Sequence, residues 1–236
     1  FIIHGASRKA ERNLNNWLPL LEGRDVVVIA PEFSKEFYNE YAYLMKTTKT
    51  GRVLKDTSRD LESSLGDIFN FFSSKLKIST KKFRLYGHSG GSQFVHRYLL
   101  LGDETRVDKV AMANAGFYTF ADPVIKYPFG IKNMEVTDER LQWFLSLKGG
   151  VFLGGEDNNP KHVSLPSMRK AKKQGKYSRA NFSFDVMKKQ LADTLERNVP
   201  EIAKTVALQL PKLKKINASK TELPKLKLPK LKKIEA

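Results

Sequence analysis

The stretch that decides the fold is "FRLYGHSGGSQFVHRYLL", residues 83–100. Phe83 to Gly87 is a short apolar-rich run closed by glycine, which reads as a buried strand. Residues 90–101 read as a helix. Between them Gly87-His88-Ser89-Gly90-Gly91 fits the pattern G-x-S-x-G. A serine at such a strand-to-helix corner takes a strained backbone and stands exposed at the carboxyl edge of the sheet. The flanking glycines give strand and helix room to pack at the corner. The Gly90 N–H, at the helix N-terminus, is aimed where an oxyanion would develop. The alternative is a glycine-rich turn without catalysis, or one that holds a phosphate. The pentapeptide is weak by itself; strand, motif and helix together give it weight.

Outward from this corner, other short apolar runs end in Gly, Pro or polar residues: residues 1–3, 25–31, 109–116 and 149–157. Continuous apolar runs of this length suit strands buried on both faces of a parallel sheet. Parallel strands need crossovers, and "TSRDLESSLGDIFNFFSSKL" (57–76) supplies one. Its Leu61, Leu65, Ile68, Phe69, Phe72 and Leu76 form one helical stripe, with Thr57 as the expected cap. Residues 122–147 read as a loop followed by a helix over or beside the strand ends, and 178–198 as another helix. The expected class is α/β, a mostly parallel, doubly wound sheet flanked by helices.

The 236 residues suit one domain of ordinary size, and 41% hydrophobic with 11% aromatic residues argues for a packed core. No apolar run reaches 18 residues, so no transmembrane helix is expected. The chain opens on "FIIHG", inside what reads as a strand, and so reads as a fragment or mature form that lacks earlier strands. Cysteine is absent, which excludes disulfides, a thiol nucleophile and thiolate metal sites and leaves the compartment open, cytoplasmic or exported.

The formal charge is +17 and uneven. Residues 207–236 carry nine Lys and two Glu, and "PKLK" recurs three times there. Proline recurs too often for a long helix, so 1–206 is expected to be the folded domain and 207–236 a disordered basic tail. Residues 161–190 hold nine Lys or Arg against one Asp. Such a surface attracts polyanions through the basic face and tail, or is simply a solvated face. Nothing in the sequence fixes an oligomeric state.

Two further parts of a hydrolytic site are legible. "FIIHGAS" is a strand running into His4-Gly5-Ala6, which makes the Ala6 N–H the candidate second oxyanion donor, with His4 a hydrogen-bonded structural residue. An acid is expected after a later strand. Glu156 and Asp157 follow "VFLGG", and Asp157 is preferred because turn formers follow it; the alternative is a capping or turn aspartate. Phe117, Tyr118 and Tyr127 are candidate walls of a substrate pocket, with ordinary core packing as the alternative. No metal or cofactor is implied.

"FIIHGASRKAERNLNNWLPL", "LYGHSGGSQFVHRYLL", "MANAGFYTFADPVIKYPFGI" and "LGGEDNNPKHVSLPSMRKAKKQGKYSRANFSF" resemble the α/β-hydrolases related to poly(3-hydroxybutyrate) depolymerases and similar bacterial serine esterases. The resemblance runs from residue 1 to about 195. The motif around Ser89 is common to many α/β-hydrolases; Asn114 to Tyr118 and Asn159-Pro160-x-His162 are more particular to this group. It implies a Ser–Asp–His hydrolase of small esters, with Ser89 as nucleophile, Asp157 as acid, and Ala6 and Gly90 as oxyanion donors.

The family's catalytic histidine follows one further strand, and here the chain departs. No histidine follows residue 162. A base must come within about 2.6–3.2 Å of the serine oxygen. His88 is the serine's neighbour on a strained turn, and its ring is expected to point elsewhere. His96 stands seven residues along the helix, about 10 Å of rise. His4 belongs to the oxyanion loop. Only His162 follows Asp157 in the chain, and it reads either as a relocated base or as a substrate-lining or loop-bracing residue. Three readings stand: an esterase with an altered C-terminus, an active enzyme with a relocated base, or a non-catalytic member whose basic surface binds polyanions.

Overall fold

Four strands pair in parallel and in sequence order: Ile2–Ile3 (β1), Phe83–His88 (β2), Val107–Ala113 (β3) and Lys148–Phe152 (β4). This is seen in a computed structural model that describes residues 1–152 and 154. Asp157, His162, the helix expected at 178–198 and the tail 207–236 lie outside the described residues.

The side chains of β2 show how the sheet is covered. Phe83, Leu85 and Gly87 are buried on one face, while Arg84, Tyr86 and His88 point to the other. Tyr86 meets Trp17 of helix α1 (Ala10–Leu21) edge-on at 4.8 Å between ring centroids. Phe83 meets Phe69 of α2 (Ser64–Leu76) at 4.9 Å. Helices α1 and α2 therefore cover opposite faces, as a doubly wound sheet requires.

Helix α3 (Gly90–Leu101) is the core helix, with every residue but Gln93 buried. Phe94, Tyr98 and Leu99 have no exposed surface, and a side chain of that size contributes about 1.5–3 kcal/mol when fully buried. The helix sits unusually close to the sheet. A Cβ on Gly91 would collide with the carbonyls of Ile3 and His4, and one on Gly87 with the carbonyl of Gly91. Only glycine permits that approach. Helix α4 (Asp138–Ser146) packs against α3 through the Phe144–His96 ring contact, and Thr137 caps it by accepting the Arg140 N–H at 3.2 Å.

Several sequence expectations shift here. Residues 25–31 do not form a strand. The Ile2 N–H donates to the Ile29 carbonyl at 2.9 Å, but one bond is not a ladder, and Val26 and Val27 are half exposed. The segment does run beside the edge of β1 that β2 leaves free. The chain thus moves outward after β1 and returns to β2, which reverses direction at that point. Helix α2 starts at Ser64 rather than after Thr57. Asp60 takes the Glu62 N–H at 2.9 Å and an ion pair from Lys46 at 2.6 Å, and these bonds hold residues 57–63 in turns. The strand expected at 109–116 runs from Val107 to Ala113, because Asn114 turns into the left-handed region at φ +46°. The strand expected at 149–157 is described from Lys148 to Phe152. Helix α1 has no counterpart among the expected elements.

Candidate active site

Ser89 stands between β2 and α3 with φ +56° and ψ −117°. A non-glycine residue there carries strain on the order of 1–3 kcal/mol, so its surroundings must impose it. They do so from both sides. The Ser89 N–H donates to the Ala113 carbonyl of β3 at 2.9 Å, and its carbonyl accepts the Gln93 N–H at 3.1 Å. The close seating of α3 on β1 and β2 leaves no other path for the corner. The serine is partly exposed at the carboxyl edge of the sheet.

The loop after β1 comes to the same place. An ideal Cβ on Gly5 would lie 3.6 Å from the Ser89 Cβ and 3.4 Å from the His88 carbonyl. One on Gly90 would lie 3.2 Å from the Ala6 nitrogen and 2.7 Å from the Tyr41 hydroxyl. Ala6, Ser89 and Gly90 are thus neighbours although more than 80 residues separate them. No hydrogen bond among the described residues uses the N–H of Ala6 or of Gly90. Two donors beside a partly exposed hydroxyl are suited to bind a developing oxyanion.

Three side chains hold this loop. His4 has no exposed surface; its Nδ1–H donates to the Gly5 carbonyl at 2.9 Å and its Nε2 accepts the Phe33 N–H at 3.0 Å. Burial holds its pKa below the ordinary value, so the neutral ring that this bonding requires is the favoured form. The Tyr41 hydroxyl donates to the His4 carbonyl at 2.8 Å. Arg8, at φ +60°, donates its N–H to the Gly5 carbonyl, and its guanidinium to the carbonyls of Phe33, Tyr38 and Asn39 at 2.6, 2.9 and 2.8 Å. The same guanidinium lies over the Tyr41 ring, 4.0 Å from its centroid. Neither Arg8 nor Tyr41 was found from the sequence, since they act on backbone carbonyls that no spacing announces.

The remaining histidines divide. His96 is buried in α3, its Nε2–H donates to the Thr119 carbonyl at 2.9 Å, and burial pushes its pKa down to about 3. It is a neutral core residue. His88 is exposed, with Nε2 3.5 Å from the Asn114 side-chain nitrogen. Phe117, Tyr118 and Tyr127 are all buried. Phe117 stacks on Phe129 at 5.2 Å, Tyr118 meets His96 at 5.2 Å, and the Tyr127 hydroxyl donates to the Tyr43 carbonyl at 2.9 Å. Of these partners His96 is fully buried, and Phe129 and Tyr43 are partly buried. Asp157 and His162 follow the described end of β4.

The same architecture recurs in two solved structures. Poly(aspartic acid) hydrolase-1 from Sphingomonas sp. KT-1 superposes with a TM-score of 0.67 at 25% identity, over 86% of this chain and 75% of that one. LpqC, a poly(3-hydroxybutyrate) depolymerase from Bordetella parapertussis, superposes with a TM-score of 0.64 at 22% identity, over 88% of this chain and 66% of that one. Both are α/β-hydrolases, and this chain has the α/β-hydrolase fold. No protein-family model and no curated protein sequence matches it. No described helix is long and apolar enough to cross a membrane.

Proposed function

We propose that this protein is a serine hydrolase of carboxylic esters that works through an acyl-enzyme on Ser89. The observation that carries the reading is Ser89 at φ +56°, with Ala6 and Gly90 beside it. In this reading the Ser89 Oγ attacks the ester carbonyl and its proton passes to a base. The N–H groups of Ala6 and Gly90 hold the oxyanion, the alcohol leaves, and water hydrolyses the acyl-enzyme. Asp157 and His162 complete the set as acid and base; His162 is the one histidine that follows Asp157 in the chain. The two structural neighbours are named for polymers of carboxylic monomers, poly(aspartic acid) and poly(3-hydroxybutyrate). With a charge of +17, this chain is suited to an ester that carries further carboxylates.

A second reading has its own observation. His4 and His96 are both committed to structural bonds and the charge is strongly positive, which suits an impaired hydrolase-fold protein that binds polyanions. One experiment separates the two. A fluorophosphonate probe is expected to label the wild type and to leave Ser89→Ala unlabelled. His162→Ala is expected to retain only the ~10³–10⁴-fold acceleration over water that survives loss of a triad member. A folded wild type that does not label refutes the hydrolase reading. Salt-sensitive retention on heparin that is lost without residues 207–236 would then favour the second.

A further inference from the structure

At the carboxyl edge of the sheet stands a residue to which the reaction described above gives no task. Asn114 follows β3 at φ +46°, a backbone region that asparagine enters more readily than other non-glycine residues. Its N–H donates to the Phe152 carbonyl at the end of β4, at 2.9 Å. Its side-chain Oδ1 accepts the N–H of Gly154 at 2.8 Å. Its Nδ2 lies 3.5 Å from His88 Nε2, at the outer limit of a hydrogen bond. One residue earlier, the Ala113 carbonyl accepts the Ser89 N–H. The last residue of β3 and the residue after it therefore hold the serine corner on one side and the exit of β4 on the other.

We propose that Asn114 is a positioning residue for hydrolysis: its side-chain carbonyl fixes the chain leaving β4 against the strand end that holds Ser89, and so sets where the acid is delivered. The proposal rests on the serine-hydrolase reading. Asp157 is three residues beyond Gly154, a chain reach of at most about 11 Å, so an anchor at Gly154 defines the origin of that reach. The backbone bond to Phe152 alone would secure the strand but not the residues after it. Asparagine meets both needs of the position, a left-handed backbone and a short acceptor. Alanine meets neither, glycine only the first, and aspartate supplies an acceptor without the amide.

Three variants test this by kcat and KM on p-nitrophenyl butyrate and by the rate at which a fluorophosphonate labels Ser89. Asn114→Ala and Asn114→Gly are expected to lower kcat roughly 10- to 100-fold, with KM within about two-fold and labelling slowed in step. Asn114→Asp keeps the acceptor and is expected to recover most of the loss. The glycine variant relieves the backbone, so a loss confined to alanine would mark strain alone and overturn the proposal. Wild-type kcat and labelling in a folded Asn114→Gly would also overturn it, as would an equal loss in Asn114→Asp. A wild type that labels at Ser89 while the variants are unaffected removes this proposal only. A wild type that fails to label removes the hydrolase reading and this one with it.

Discussion

Replacing Gly90 by alanine puts a methyl group where the loop after β1 meets helix α3. The new Cβ would stand 2.7 Å from the Tyr41 hydroxyl and 3.2 Å from the Ala6 nitrogen, against an ordinary contact of 3.4–4 Å. The Tyr41 oxygen must therefore retreat by about 0.7 Å, and it has little freedom to do so. Its ring stacks on Phe33 at 5.7 Å and Phe94 at 6.0 Å, and its hydroxyl donates to the His4 carbonyl. Overpacking of this kind costs about 1–3 kcal/mol, and loss of the hydroxyl bond adds about 0.5–1.5 kcal/mol. A total near 2–4 kcal/mol lowers Tm by roughly 5–15 °C for a chain of this size. The same displacement moves the Ala6 N–H, and in the proposed reaction loss of one oxyanion donor costs about 10²–10³ in kcat. Urea melts and p-nitrophenyl butyrate kinetics read the two effects separately. Tyr41→Phe removes the clashing oxygen, so Gly90→Ala should cost about 1–2 kcal/mol less in that background than in the wild type. Costs that add within about 0.5 kcal/mol would refute the steric argument, and a Gly90→Ala enzyme with wild-type kcat would refute the placement of the oxyanion hole.

Two further outcomes concern stability. His96 is held neutral in the fold, with its pKa pushed down to about 3 from an ordinary 6.5. Between those values the unfolded chain binds a proton that the folded chain does not. Its contribution is therefore complete above pH 6.5 and lost on acidification at about 1.4 kcal/mol per pH unit. His96→Gln should flatten the acid limb of a urea-melt series by about one proton, and an unchanged slope would contradict this burial. Thr137→Ala removes the cap of α4 and should cost about 1 kcal/mol with ester hydrolysis unchanged. Equal stability would mean that packing of Leu141 and Phe144 alone fixes that helix.

The strands β1, β2 and β3 and the helix α3 were legible in the sequence because continuous apolar runs and G-x-S-x-G are local patterns with a local cause. A strand buried on both faces needs apolar residues throughout, and a sharp strand-to-helix corner needs glycines at fixed offsets. From these came the parallel α/β class, the identity of Ser89 and the pairing of Ala6 with Gly90 as candidates. Apolar character alone misled at residues 25–31, where Val26 and Val27 stand at an edge joined to β1 by a single bond. Only the tertiary structure decided what surrounds the serine. Arg8 reaches the carbonyls of Phe33, Tyr38 and Asn39, Tyr41 reaches the His4 carbonyl, and Asn114 reaches Gly154 forty residues away. Such bonds join a side chain to distant backbone, leave no period or spacing in the sequence, and exist only once the sheet has brought its strand ends together.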